Sequence, residues 1–479
     1  MTTDTTTAQR KSLRLIIKSF ASNLEDLRDF VSLLAPVLKQ REDSLLKENA
    51  HFLAPLLMSM DVIDPIAFKI AEPARKKLQE QFGSVEIERH EKPDADGKAK
   101  KGRVSFTVKI DNKETAKSFS SALERMQKGQ VHTGLLYRSA LISLVSAAEW
   151  YVSELLHTYY ERFPDAAGLS EKSFSLEDLR RLKTIDEATA YLVDSKVESV
   201  LRGSFEDWIE FLASKPKLSM SYVENEMASI SEVFQRRHVV IHNGGIVNRI
   251  YMSKVAEATR AGLELGKPIE VTREYLDKAI SIFERNFILV GAELWKKLEP
   301  ENDERASELI AMAFKQLSSE RWSIGEALSY FVSKDTRASE RSKMIGKINY
   351  WQSLKWQDRF EQVRSEVKAE DMTAKERIYQ LAKHALLDEE ALFARLLNQM
   401  LKANELPLDD AQTWPLFRKL RSTKAVEEIL SAYAPLPTPA PIAAVQHSQA
   451  EPSGDVTKTY PLITKIGKSR KRITRRKTR

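Results

Sequence analysis

The sequence predicts a mainly α protein with a small α+β module at the N-terminus, a central helical bundle and a C-terminal helical region. Three observations support this fold class. Apolar residues recur at helical spacing along most of the 479 residues, only 16 Gly and 17 Pro interrupt them, and strand-like alternation is convincing in one place alone. A chain of this length accommodates roughly three domains of about 150 residues each.

The predicted N-terminal α+β module covers residues 1–113. Helical spacing of apolar residues continues from 23 to 83, and prolines such as Pro55 are expected to divide this stretch into separate helices. The segments SVEIERH and RVSFTVKI then alternate apolar and polar residues on either side of the polar stretch EKPDADGKAKKG. This pattern predicts a β-hairpin near 84–111.

The predicted central bundle covers residues 114–298. Its first long segment, TGLLYRSALISLVSAAEWYVSELLHTYYERF, is apolar around much of its circumference, so we expect this helix at the centre of a core. A capping box formed by Ser175 and Asp178 predicts the start of a further helix. The last strongly periodic helix of the bundle is EYLDKAISIFERNFILVGAELWKKL.

A C-terminal helical region is predicted at 299–433, where no internal period establishes a solenoid repeat. Residues 434–479 are predicted to be a disordered Pro/Ala linker and basic tail, because their composition cannot bury a core. The end of the tail, KIGKSRKRITRRKTR, has nine Lys or Arg and no acid; since the whole chain carries +7, residues 1–464 carry 7 − 9, or −2. Attraction of nucleic acid by net charge alone is therefore expected in the tail.

Composition excludes several classes of site. The chain has no Cys, which excludes disulfides, thiolate metal sites, iron–sulfur clusters and a cysteine nucleophile. No segment approaches the ~18 to 20 uninterrupted apolar residues of a transmembrane helix, and the N-terminal apolar run Leu15-Ile16-Ile17 is too short for a signal-peptide core. We therefore expect a cytoplasmic protein with no membrane partner and no cofactor.

The stretch QRRHVVIHNGG, residues 235–245, combines two arginines and two histidines at a predicted helix end. His238 and His242 are four residues apart and therefore share a helix face, with Arg237 one turn back from His242. The following Asn-Gly-Gly supplies a helix stop, so His242 is expected in the last turn. The apolar residues expected to anchor the segment to the core are Phe234, Val239, Val240 and Ile241.

This arrangement suits acid–base chemistry on a phosphodiester. The negative end of a helix dipole favours the imidazolium form of His242, whose side chain titrates near neutral pH. The planar donor fork of Arg237 suits phosphate oxygens. Together they are able to cleave RNA without a metal: the histidine moves a proton to or from the ribose 2′-hydroxyl or the leaving oxygen, and the arginine stabilises the phosphorane.

At these residues the sequence resembles the HEPN superfamily, whose ribonucleases carry Arg, a polar residue, three further residues and His. The pattern here is RHVVIH at 237–242, followed by a small and polar NGG. The resemblance extends over about 130–298: it includes the long apolar helix with Glu149 and Trp150, LRGSFEDWIEF before the motif, and GKPIEVTREYLDKAI after it.

The resemblance implies a HEPN-like bundle of four or five helices that forms a homodimer or higher homo-oligomer, so that two motifs share one cleft. It also implies a metal-independent endoribonuclease that acts through the 2′-hydroxyl, in phage defence or as a toxin, with a regulatory protein or antitoxin as a further partner. Arg237 and His242 match the catalytic pair, and Arg236 is a reserve phosphate contact that is otherwise solvated. Residues expected to contact RNA are His238, Arg236, Asn243 and Glu149.

Two other interpretations stay open for the motif. A non-catalytic helical scaffold with the same fold would bind RNA, a nucleotide or a protein, and Arg237 and His242 would then form a polar helix end. His238 and His242 also have the spacing of a helical metal pair, but no Glu follows His238 as H-E-x-x-H requires, so we expect no metal. Elsewhere, Trp351 and Trp356 are interpreted as packing residues rather than as a surface for stacking bases.

Overall fold

The computed structural model describes residues 12–59, 85–91, 104–110, 113–114, 116–117, 120–121, 131–167, 180–182, 184–260 and 262–433. Within these residues the chain is mainly helical, as predicted. The helices up to residue 298 are α1 (Leu13–Ser59), α2 (Val131–Arg162), α3 (Ile185–Leu201), α4 (Phe205–Ser214), α5 (Ser221–Glu224), α6 (Met227–His242), α7 (Arg249–Lys254) and α8 (Arg273–Leu298).

The remaining helices lie in the predicted C-terminal region. They are α9 (Glu304–Ser318), α10 (Trp322–Lys334), α11 (Glu340–Lys355), α12 (Arg364–Ala369), α13 (Arg377–Leu386), α14 (Glu390–Lys402), α15 (Leu408–Thr413), α16 (Arg418–Arg421) and α17 (Lys424–Tyr433). Two strands, β1 (Val85–Glu91) and β2 (Val104–Ile110), pair antiparallel as in the predicted hairpin, with Val85 opposite Ile110.

The predicted N-terminal α+β module is not supported, because the start of α1 packs into a helical core. Phe20 of α1 stacks on Tyr151 of α2, with ring centroids 4.3 Å apart, and lies 6.0 Å from the ring of Phe287 of α8. Four residues of α1 at i, i+3, i+4 and i+7 form its buried face: Leu13, Ile16, Ile17 and Phe20. The helix also continues through Pro55, so the expected division there is wrong: the loss of one backbone donor does not end α1.

The described residues fall into two units. Unit 1 draws on Met1–Ala21, Ala148–Ile230 and Ala279–Arg479, and unit 2 draws on Ser22–Ala147 and Ser231–Lys278. These limits do not coincide with the predicted domain boundaries at 113/114 and 298/299, which stay predictions.

Many helices of unit 1 bury apolar side chains. The part of α2 in this unit buries Tyr151, Val152, Leu155 and Leu156, which agrees with its expected central position. In the C-terminal region, α10 packs against both α9 and α11, and α13 packs against α14. The predicted packing role of Trp351 is confirmed because its side chain is fully buried, and the ring of Trp356 is covered by the Arg418 guanidinium at 4.3 Å.

Unit 2 contains the end of α6, which carries the motif, together with α7 and the start of α8. A small apolar cluster holds the end of α6 against α7 and the loop before α8; it is formed by Val239, Val247, Tyr251, Val255 and Ile269. The predicted capping box at Ser175 and Asp178 and the predicted linker and tail at 434–479 lie outside the described residues.

Candidate functional site

The helix that carries the motif ends where the sequence predicts. α6 stops at His242, and the backbone N–H groups of Asn243 and Gly245 both donate to the carbonyl of Val239 at 3.0 Å. Gly244 and Gly245 have φ values of +59° and +77°, a left-handed conformation that favours glycine. The Asn-Gly-Gly stop and the position of His242 in the last turn are therefore confirmed.

The segment after the stop folds back and pairs with a later loop. The Val247 N–H donates to the Lys267 carbonyl at 2.9 Å, the Gly266 N–H donates to the Val247 carbonyl at 2.9 Å, and the Ile269 N–H donates to the Gly245 carbonyl at 2.7 Å. These hydrogen bonds fix the segment after α6 against the backbone of residues 266–269, which lie outside the motif.

The expected apolar anchors of the motif behave differently from one another. Val239 is buried, whereas Phe234 and Val240 are half-buried. Ile241 is 43% exposed, so its expected anchoring role is wrong: on this helix, position 241 points away from the face that buries Val239.

His238 and His242 lie side by side on the exposed surface. Their ring centroids are 4.6 Å apart and the rings are inclined by 46°, so the predicted shared face is confirmed. Partial burial lowers the pKa of His238 below its ordinary value, and the positive charges of His242, Arg237 and Lys254 lower it further. None of these causes is an acid, and the local electrostatic environment of His238 is therefore positive.

Arg236 does not face the solvent with the histidines. Its side chain is buried, its Nε donates to the Glu232 carboxylate at 2.7 Å, and one terminal nitrogen donates to the Glu270 carbonyl at 2.6 Å. Its guanidinium carbon lies 3.8 Å from the centroid of the Tyr275 ring. The expectation that Arg236 is solvated is therefore wrong, and these contacts favour a structural role over phosphate contact.

Glu232 is the centre of this buried network. Besides Arg236, its carboxylate accepts hydrogen bonds at 2.6 Å from the hydroxyls of Tyr251 and Tyr275. Burial raises the pKa of both tyrosines above their ordinary range, so both hydroxyls stay protonated donors. The network joins α6 to α7 and α8 one turn before Arg237. The sequence signal for it was the four-residue spacing of Glu232 and Arg236.

The other predicted contacts divide between the two units. Arg237 is half-buried next to His238, and the Asn243 side-chain amide donates to the Ile246 carbonyl, which closes the loop after α6. Glu149 is half-buried on the part of α2 that belongs to unit 1. The end of α6 thus brings together Arg237, His238, His242 and Asn243.

One residue near the motif was not singled out from the sequence. Arg138 of α2 lies beside the glycine loop, residues 243–245. A β-carbon placed on Gly245 would be 3.8 Å from the guanidinium carbon of Arg138 and from one of its terminal nitrogens. Because α2 precedes α6 by about a hundred residues in the chain, no local spacing could have indicated this approach.

In the part of the chain that the structure describes, no cluster of three or more His, Asp or Glu side chains is placed to hold a metal ion. Likewise, no described helix is both long enough and apolar enough to cross a membrane. Comparison of the chain with models of known protein families, with curated proteins and with solved structures finds no match.

Proposed function

We propose that this protein is a metal-independent endoribonuclease of the HEPN type, with a HEPN-like helical bundle around the end of α6. The observation that carries the proposal is the exposed pair of imidazoles, His238 and His242, next to Arg237 in a positive environment. An RNA phosphodiester is the anion that this set of groups suits best, because it has a charge to bind, a neighbouring 2′-hydroxyl that must lose a proton and a leaving oxygen that must gain one.

In the proposed reaction, His242 takes the proton of the ribose 2′-hydroxyl and then gives it to the leaving 5′-oxygen. The 2′-oxygen attacks the adjacent phosphorus, the bond from phosphorus to the 5′-oxygen breaks, and the 5′-oxygen leaves with a proton. The products are a cyclic 2′,3′-phosphate and a 5′-hydroxyl. Arg237 stabilises the added negative charge on the phosphorane, and His238 assists as a neutral imidazole, consistent with its lowered pKa.

The proposal includes a homodimer or higher homo-oligomer in which two motifs share one cleft. Apolar side chains that flank the motif support this part. Ile241, Ile246 and Ile250 are 43%, 39% and 55% exposed, and all three lie within nine residues of His242. The three residues are close to His242 in the chain, and an exposed apolar patch is typical of an interface. A role in phage defence or as a toxin, with a regulatory protein or antitoxin, belongs to the proposal through the HEPN resemblance.

The decisive experiment incubates purified protein with total RNA in the presence of EDTA. We expect cleavage that leaves cyclic phosphate ends and is abolished in His242→Ala and in Arg237→Ala. The matched control is His384→Ala, which removes a histidine of α13 that bonds to Glu389. If all three variants cut as well as the wild type, the end of α6 is not the active site. RNA binding without cleavage would favour the scaffold interpretation.

A second experiment tests the oligomer. Ile250→Asp should shift the sedimentation of the protein to the monomer and reduce cleavage, because a charge at an apolar interface is not compensated. Leu392→Asp is the control, since Leu392 is similarly exposed, at 50%, on α14. A wild-type protein that sediments as a monomer at micromolar concentration would contradict the shared cleft.

A further inference from the structure

The position of Arg138 on α2 places a cation next to the glycine loop. Leu141 and Val145, three and seven residues later, are fully buried on the same helix face, so Arg138 lies at the outer end of a buried stripe. The residue is half-buried, and its guanidinium contacts the position that a side chain would occupy on Gly245. Gly245 itself is buried, so a group from outside the chain reaches the guanidinium through the exposed part of the Arg138 side chain.

Unlike Arg236 and Arg273 of the same unit, Arg138 has no acidic partner among the described residues. Arg236 pairs with Glu232 at 2.7 Å, and Arg273 pairs with Asp277 at 2.7 Å. Among the described residues, Arg138 makes no ion pair and no hydrogen bond. Partial burial removes water from this charge, and none of the described residues replaces that water, which is unfavourable.

The guanidinium also lies close to the proposed reactive residues. Three trans peptide units separate the Cα atoms of His242 and Gly245, so these atoms are at most about 11 Å apart. Arg138 contacts the Gly245 end of this short connection, and His242 is the other end. An RNA strand bound at His242 would therefore pass within reach of the arginine fork.

We propose that Arg138 binds a phosphodiester of the RNA strand next to the reactive pair Arg237 and His242. The inference rests on the proposed function, and it adds a residue from α2 to a site otherwise built by α6. In this role Arg138 holds the RNA strand, and it stabilises the bound ground state and the transition state by the same amount. If Arg138 only stabilised the C-terminal end of α6, its loss would instead destabilise the loop that follows that helix.

The test measures binding of a fluorescein-labelled, 2′-O-methylated oligoribonucleotide, which cannot be cleaved, by fluorescence anisotropy over a series of salt concentrations. We expect Arg138→Gln to weaken binding about tenfold. It should also reduce the slope of log K against log salt by about 0.7, as expected for one lost phosphate contact on a single strand. Arg138→Lys should restore the slope. Arg395→Gln, which removes an exposed arginine from α14, should change neither quantity.

Cleavage kinetics give an independent readout. With cleavable RNA, Arg138→Gln should raise KM about tenfold and leave kcat nearly unchanged, because uniform binding is lost. A fall in kcat at unchanged KM would overturn the inference and indicate a structural effect on His242, as would an affinity and salt slope equal to those of Arg395→Gln. If the wild type cleaves RNA and Arg138→Gln behaves normally, only this inference fails. If the wild type neither binds nor cleaves RNA, the proposed function fails and the inference falls with it.

Discussion

Unit 2 contains a buried polar cluster and unit 1 a buried polar seam, and the two differ in whether their buried polar groups have hydrogen-bond partners. In unit 2, the Glu232 carboxylate receives donors from Arg236, Tyr251 and Tyr275. In unit 1, the fully buried side-chain amides of Asn349 and Gln352 on α11 have no hydrogen-bond partner among the described residues. The first arrangement is closed, whereas the second leaves polar atoms without partners.

Two helices approach each other closely near the open seam. A β-carbon placed on Gly346 of α11 would lie 2.9 Å from the backbone nitrogen of Ser333 and 3.0 Å from the carbonyl oxygen of Ser329, both on α10. Helices this close leave little room for a side chain to turn toward a partner. The closed network, by contrast, uses side chains from α6, α7 and α8, and it stabilises the helix end that carries the candidate site.

The largest effect is expected from breaking the closed network at its centre. Glu232→Gln leaves the buried Arg236 charge without a carboxylate, and the free energy of unfolding should fall by about 3 to 5 kcal/mol. Urea denaturation followed by circular dichroism measures this change. Glu264→Gln, at an exposed acid of the same unit, is the control and should have little effect. A loss below about 1 kcal/mol would mean that the network is not closed.

Removing a single donor should have a smaller effect. Tyr275→Phe deletes the hydroxyl that bonds to Glu232 but keeps the ring beneath Arg236, so we expect a loss of about 1.5 to 3 kcal/mol. Tyr330→Phe is the matched control, because Tyr330 is 47% exposed on α10. Equal denaturation midpoints for the two variants would show that the Tyr275 hydroxyl does not stabilise the fold.

The open seam predicts a change of the opposite sign. Gln352→Met replaces a buried amide that has no partner in the described part of the chain by an apolar side chain of similar length, so the free energy of unfolding should stay the same or rise by about 1 kcal/mol. Thermal and urea denaturation measure it. Asn349→Leu tests the same expectation at the other buried amide of the seam. Destabilisation as large as that of Glu232→Gln would instead indicate that the amide has a partner in solution.

Local features of the site could be predicted from the sequence, and remote contacts could not. The helix stop after His242 and the shared face of His238 and His242 follow from residues within one or two turns. The burial of Arg236 depends on Tyr275, which is 39 residues further along the chain, and the approach of Arg138 depends on a helix far upstream. Such contacts are set by tertiary packing, which spacing within one segment does not contain.

The fold shows the same limit. Helical spacing predicted a mainly helical chain and the central position of α2, because a helix that is apolar on most sides must be buried. The same spacing at Leu13, Ile16 and Phe20 says that the start of α1 buries one face, but it does not say against which partner. The predicted α+β module therefore assigned α1 to the wrong neighbours, whereas its aromatic contacts are with α2 and α8.

The smallest predicted effect on stability concerns the exposed histidines. Unlike Glu232 and Arg236, they are not part of a buried hydrogen-bond network, and unlike the amides of the seam they are not buried. Partial burial and the charges of His242, Arg237 and Lys254 lower the pKa of His238 below 6.5. Between the lowered value and 6.5, the unfolded chain binds more protons than the folded chain, so stability decreases as the pH falls through this window. Because His238 is exposed, we expect a change below about 1 kcal/mol.

An NMR titration of the histidine ring protons measures this directly. The His238 midpoint should lie below 6.5 in the wild type and should move upward in Arg237→Gln, which removes one of the neighbouring positive charges. Saturating inorganic phosphate should also raise the midpoint, because a bound anion stabilises the imidazolium. A wild-type midpoint at or above 6.5 would mean that the positive charges at the end of α6 are already compensated in solution. The site would then lack the free positive potential on which phosphate binding depends.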